Sequence, residues 1–142
     1  MSDLYDRDFY AWAAEQSALL RAGKLSAADI AHIAEEIETM GRSEKRELVS
    51  RLTVLLLYLL KWQHQPVRRG TSWLLSIENA RDEITDHLAD NPSLKGKLAE
   101  AMTTAYRLAH RKAAIETDMA VTTFPAECPW NFEQAMQQKL CG

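Results

Sequence analysis

Little in this chain would break a helix or cross-link one. Glycine occurs 5 times and proline 4 times in 142 residues. No segment alternates apolar and polar residues with the period of a strand, so a sheet is excluded as the organising element. Cysteine occurs twice, as Cys128 and Cys141, and two cysteines without companions make no zinc site. The opening Met1-Ser2-Asp3 is acidic and no apolar stretch follows it. Both cysteines are therefore expected as free thiols in a reducing cytoplasm. The longest apolar run, from Val54 to Leu60, falls far short of the roughly 20 residues that cross a membrane. There is no G-x-S-x-G elbow, Walker loop or G-x-G-x-x-G, which removes the usual supports for nucleophilic or nucleotide chemistry. Cys128 follows Glu127, and a neighbouring carboxylate raises a thiol's pKa, so it is a poor nucleophile. A basic excess is missing too: the net charge of −3 argues against a dedicated nucleic-acid binder.

What is present is helical periodicity. With 46% hydrophobic and 26% charged residues, the chain has the composition of one globular domain, expected over residues 1–142. A first helix is expected from about Asp3 to Ala22, with Phe9, Trp12, Ala13, Gln16, Leu19 and Leu20 at helical spacing. Asp3, Asp6 and Asp8 favour its positive end, and Gly23 suits the residue after its last turn. A second helix is expected from Ser26, where Ser26 and Asp29 resemble a capping box, with an apolar stripe of Ile30, Ile33, Ile37 and Met40. Gly41 ends or bends it. A third, from about Ser43 to His64, is either separate or the continuation of the second, and Pro66 stops it. Its second half is apolar on nearly all sides, which means the centre of a bundle or a subunit interface.

A fourth helix starts near Ser72 with Trp73, Ile77, Ala80, Ile84 and Leu88 facing inward. Asn91 and Pro92 end it and open a fifth, carrying Leu94, Leu98, Met102, Ala105, Leu108 and Ile115 to about Asp118. After an extended stretch, Asn131 caps a short last helix ending near Gln138. Short connections make the fold class all-α, an up-and-down bundle of four to five helices with a short C-terminal helix.

Charge falls in blocks. Residues 1–41 carry 8 acids and 3 bases, a net of −5, and residues 42–69 carry 7 bases and 2 acids, a net of +5. The next blocks, 70–94, 95–112 and 113–142, alternate at −4, +4 and −3. Such alternation points to helix faces that complement their neighbours, within a chain or between chains.

Two constellations stand out. Lys61, Trp62, Gln63, Gln65, Arg68, Arg69 and Trp73 gather cations, amides and tryptophans at a helix end, a proline turn and a helix start. Paired arginines suit a phosphate, a carboxylate or an acidic partner, and helix starts favour anions. The plainer reading makes the tryptophans core anchors and gives the cations structural partners. The second group is Asp29, His32, Glu35 and Glu36, with His32, Glu35 and Glu36 as alternative metal ligands. Bundles do build metal sites from inward Glu and His, yet the Glu-x-x-His pair on each of two helices is missing here. His87 and Glu116 are further candidates in that reading. No cofactor is expected.

The order LYDRDFYAWAAEQSALLRAGKLSAADIAHIAEEIETMGRSEKREL, then LLKWQHQP, RRGTSW, NPSL and FPAECPW, resembles domain-of-unknown-function family 29, a group of small bacterial helical proteins. The resemblance runs from about Leu4 to Met136. It implies a helical, bundle-like fold and carries over no catalytic residue. It also places a histidine where this chain has Tyr58, which weakens the metal-enzyme reading. The expectation is therefore a small cytoplasmic interaction or regulatory module that works through helix–helix contact. A homodimer is expected, with an unidentified protein partner as the other option, and no membrane association. A metal-dependent enzyme is the alternative, and nucleic-acid binding through residues 42–69 a weaker one.

Overall fold

A computed structural model describes residues 4–140, and among them every regular element is a helix or a helical turn. There are four long helices and two short ones. They are α1 (Leu4–Arg7), α2 (Phe9–Arg21), α3 (Ile30–His64), α4 (Thr71–Asp90), α5 (Leu98–Thr117) and α6 (Phe132–Gln137). The described residues cluster into two compact units that divide between Ser43 and Glu44. Among the described residues, no helix is long and apolar enough to cross a membrane. Cys141 and Asp3 lie outside the described residues.

In the first unit the expected first helix is two. Asp8 leaves the helical region at φ −150° and its carboxylate accepts the Ala11 N–H at 3.0 Å. An acid read as favouring one helix end thus restarts the chain as an N-cap, because its short side chain competes with the backbone ladder. At the other end of α2, Gly23 has φ 72°. The Gly23 N–H bonds the Leu20 carbonyl and the Lys24 N–H bonds the Leu19 carbonyl. That pair of bonds is a Schellman stop, which requires the left-handed residue glycine adopts freely.

Ser26 does not cap the next helix. It lies in a 3-10 turn, Leu25–Ala27. The cap is Asp29, whose carbonyl accepts the Ile33 N–H and whose carboxylate lies 3.4 Å from the His32 N–H. The second and third helices, left by the sequence as separate or continuous at Gly41, are one 35-residue helix. A helical glycine costs only about 1 kcal/mol relative to alanine, too little to end a helix flanked by good formers.

The second unit is built around the later part of α3. Leu48, Leu52, Leu55, Leu56, Leu57, Leu59, Leu60 and Trp62 are all buried within this chain. The leucine run is therefore a bundle centre, and a second copy is not needed to cover it. Charged contacts fix the register around it. Arg51 meets Glu83, and His87 bonds the Glu44 carbonyl, so α4 runs antiparallel to α3. Lys45 meets Glu100 at 2.8 Å and Lys61 meets Glu116 at 2.6 Å. Numbers rise together along both helices, so α5 runs parallel to α3.

Helix α4 offers Ile77, Ala80, Ile84 and Leu88 to the core as its spacing predicts, and α5 offers Ala101, Met102, Ala105, Ala109 and Ala113. Ile115, expected inside, is exposed, because the buried face of α5 at that level is the neighbouring Ala113 and Ala114. Pro92 opens a 3-10 turn, Pro92–Lys97, rather than α5 itself. The Asn91 amide donates to the His87 carbonyl at 3.1 Å instead of capping the turn. The last helix begins as expected, with Asn131 and Gln134 forming a reciprocal capping box.

Candidate functional site

Of the seven basic–aromatic candidates, Trp62, Gln63 and Arg69 line one small cleft together with Trp130, Gln138, Lys139 and Leu140, and the other four do not line it. Trp62 is buried in the core of the second unit. Arg69 donates from Nε to the Trp62 carbonyl at 2.6 Å and lays its guanidinium 5.1 Å from the Trp62 ring centre. It thereby satisfies a carbonyl that the end of α3 leaves without a helical partner. Lys61 sits over the Tyr58 ring, at 4.8 Å, and the Trp73 ring, at 6.0 Å, while pairing with Glu116. Gln65 opens a 3-10 turn, Pro66–Arg68, and is half-buried. Gln63 and Arg68 are exposed. The corner joining α3 to α4 thus gives most of its cations internal partners.

The same holds further along residues 42–69. Arg51 binds Glu47 and Glu83, Lys45 binds Glu100, and Arg42 lies 3.8 Å from Glu38. Glu116, a ligand candidate by sequence, is the partner of Lys61.

In the first unit the acid–histidine group is organised as a polar knot. The Trp12 indole donates to Asp29 Oδ2 at 3.1 Å, and His32 Nδ1 lies 2.7 Å from the same oxygen. The Asp29 N–H donates to Gln16 Oε1 at 2.7 Å. The His32 contact and the Trp12 bond hold the Asp29 carboxyl below its ordinary range, and Asp29 raises His32 in return. Tyr5 stacks on His32 at 3.9 Å, with ring planes 13° apart, and its hydroxyl donates to Glu36. That bond, with burial and the Glu35 and Glu36 charges, pushes the Tyr5 phenol up to about 12. His32 Nδ1 and the Glu36 carboxylate therefore already have partners, while Glu35 is exposed. Residues 32, 35 and 36 are not brought together as a ligand set.

This knot has a consequence for the rest of α3. Its polar face, with Asp29, His32 and Glu36, is the one that Tyr5, Trp12 and Gln16 cover. The adjacent apolar stripe is left open: Ile30 is 54%, Ile37 59% and Met40 60% exposed. Positions 30, 33, 37 and 40 lie on one side of a helix. Phe9, Tyr10, Leu20 and Leu25 are also exposed in this unit, where Trp12 is the buried large apolar residue among those described. The sequence carries the stripe plainly and leaves open what covers it. A helical period marks a face that some surface covers and does not name that surface.

A family model described as "Domain of unknown function DUF29" matches residues 4–141. No curated protein and no solved structure matches the chain.

Proposed function

We propose, for a chain that belongs to the DUF29 family, that it is a helical interaction protein whose first unit binds a basic amphipathic helix of another protein. The exposed stripe Ile30–Ile37–Met40 carries this reading. Soluble domains seldom leave contiguous apolar surface open without an interaction use. A partner helix laid along the stripe would bury it through residues spaced three and four apart. Charge selects the partner's character. The block 1–41 has a net charge of −5, and Glu35 and Glu38 stand exposed on the same helix. A basic rim on the partner complements them and speeds encounter.

A second copy of this chain is the competing occupant and would make the homodimer. Its segment 42–69 has the right charge, at +5. Its leucines and Trp62 there, however, are already buried in its own core and leave only the isolated Val54 and Val67 exposed, so it offers cations without a continuous apolar face. Two copies of the acidic block 1–41 meeting each other would set −5 against −5. Both points favour a different protein.

The test uses the whole chain and fluorescein-labelled synthetic helices of equal length: Lys/Leu amphipathic, Glu/Leu amphipathic, and a scrambled Lys/Leu sequence. Fluorescence anisotropy at physiological salt should show binding of the Lys/Leu amphipathic helix in preference to the other two. Ile37→Asp should weaken it at least tenfold while leaving the circular dichroism spectrum unchanged, since an exposed substitution shifts stability by less than about 0.5 kcal/mol. Equal binding of all three peptides, or binding indifferent to Ile37→Asp, refutes the reading.

A further inference from the structure

The second unit holds an open cleft of about 480 Å³ between α3 and α4. Five carboxylates line it, those of Glu44, Glu47, Glu83, Asp86 and Asp90, against the single guanidinium of Arg51. Glu44 and Glu47 are one helical turn apart, and the antiparallel register brings His87 of α4 opposite both. One oxygen or nitrogen from each of Glu44, Glu47 and His87 lies within 4.8 Å of the others.

The histidine is the informative member. His87 is 7% exposed and its Nε2 lies 2.8 Å from the Glu44 carbonyl oxygen. A carbonyl only accepts, so Nε2 carries the proton. In the neutral ring Nδ1 is then a lone pair. That lone pair lies 3.7 Å from Glu47 Oε2, beyond hydrogen-bond reach. Two electron-rich atoms face each other across that gap, on a side chain more than nine-tenths buried. Such a pair repels unless a proton or a metal ion stands between them. The other ring nitrogen bound to a backbone carbonyl is the arrangement that orients histidine as a metal ligand.

The spacing suits an ion. Two bonds of about 2.1 Å opened to about 120° put their ligand atoms about 3.6 Å apart. Glu47 is held in place by Arg51, which takes Oε1 at 2.5 Å and leaves Oε2 toward His87. Arg51 is itself tied to Glu83. Glu44 Oε2 lies 3.6 Å from His87 Nε2, the nitrogen bonded to the Glu44 carbonyl, and 3.5 Å from the Asn91 amide.

We propose that Glu44, Glu47 and His87 bind a divalent first-row transition metal. One imidazole and two carboxylates suit zinc, manganese or cobalt better than calcium or magnesium, which take oxygen ligands. This site is separate from the apolar stripe and stands or falls without it.

The test titrates metal-stripped, full-length protein with Co²⁺ followed by absorption, and with Zn²⁺ by calorimetry. About one metal per chain is expected. Glu47→Gln keeps the side chain's shape and is expected to weaken binding by about 10- to 100-fold. Glu100→Gln, which touches Lys45 on α3, should bind like the parent. His87→Ala should also abolish binding, and Glu47→Gln answers the question if that variant fails to fold. Absence of binding at millimolar metal, or binding undiminished in Glu47→Gln, overturns the proposal. A thiolate-to-cobalt charge-transfer band would place the metal on cysteine and overturn it as well.

Discussion

Leu56 is completely buried in the later part of α3, and cutting it to alanine measures what the leucine run does. The change removes three carbons, about 2.4 kcal/mol at roughly 0.8 kcal/mol each. The cavity left behind raises the expected cost to about 3–5 kcal/mol. A domain's whole stability is about 5–15 kcal/mol, so the loss is a large fraction of it. With a urea dependence of about 2 kcal/mol per molar, the midpoint should fall by about 1.5–2.5 M at unchanged slope. Val54 lies in the same run but is 42% exposed, and Val54→Ala should move the midpoint by less than about 0.5 M. Urea unfolding followed by far-ultraviolet circular dichroism at two protein concentrations a hundredfold apart completes the assay. A core contained in one chain gives the same midpoint at both. A loss under about 1 kcal/mol for Leu56→Ala, or a midpoint that rises with concentration, would show that the run is an interface instead.

Tyrosine ionisation offers a second check. Burial, and then the nearby Cys128, push the Tyr106 phenol up to about 12, and Tyr5 rises to about 12 through its bond to Glu36. Spectrophotometric titration should therefore show two of the four tyrosines ionising well above pH 10, and Glu36→Gln should release one of them to lower pH. All four phenols ionising near pH 10 would contradict the contacts described for Tyr5 and Tyr106. His64 supplies a pH dependence. Its Nε2 is buried without a hydrogen-bond partner and its ring packs on Phe124 at 5.0 Å, so burial lowers its pKa below 6.5. The fold thus favours the neutral ring. The stability it contributes is fully present above pH about 6.5 and is lost as pH falls through the lowered pKa. His64→Phe should flatten thermal stability between pH 7 and 5 relative to the parent. An identical pH profile in the two proteins would remove His64 as the cause.

Much of the fold was legible because local chemistry and tertiary packing agree. Pro66 ends α3, Gly23 closes α2, Asn131 caps α6, and α4 buries the stripe its spacing marks. The failures occur where two local signals compete. Asp8 is acceptable in a first turn and better as a cap, and only the φ of −150° decides it. Gly41, where the sequence left one helix or two open, weakens a helix without the power to end one. The basic–aromatic segment drew attention by its density, yet partners far along the chain, such as Glu116 for Lys61, use its charges internally. The grouping of Glu44 and Glu47 with His87 escaped notice for the converse reason. They are 43 residues apart between Glu44 and His87, and only the antiparallel register of α3 and α4 joins them. The i, i+3 spacing of the two glutamates was the available signal, and it is common on solvated helices.

The central claim is that the stripe on the first part of α3 is a docking face. Amide chemical-shift mapping of isotope-labelled full-length protein with the Lys/Leu amphipathic helix tests it most directly. Shifts confined to residues 9–20 and 30–40, with Ile30, Ile37 and Met40 among the most displaced, are the predicted result. Shifts centred on residues 42–69, or none at saturating peptide, would contradict it.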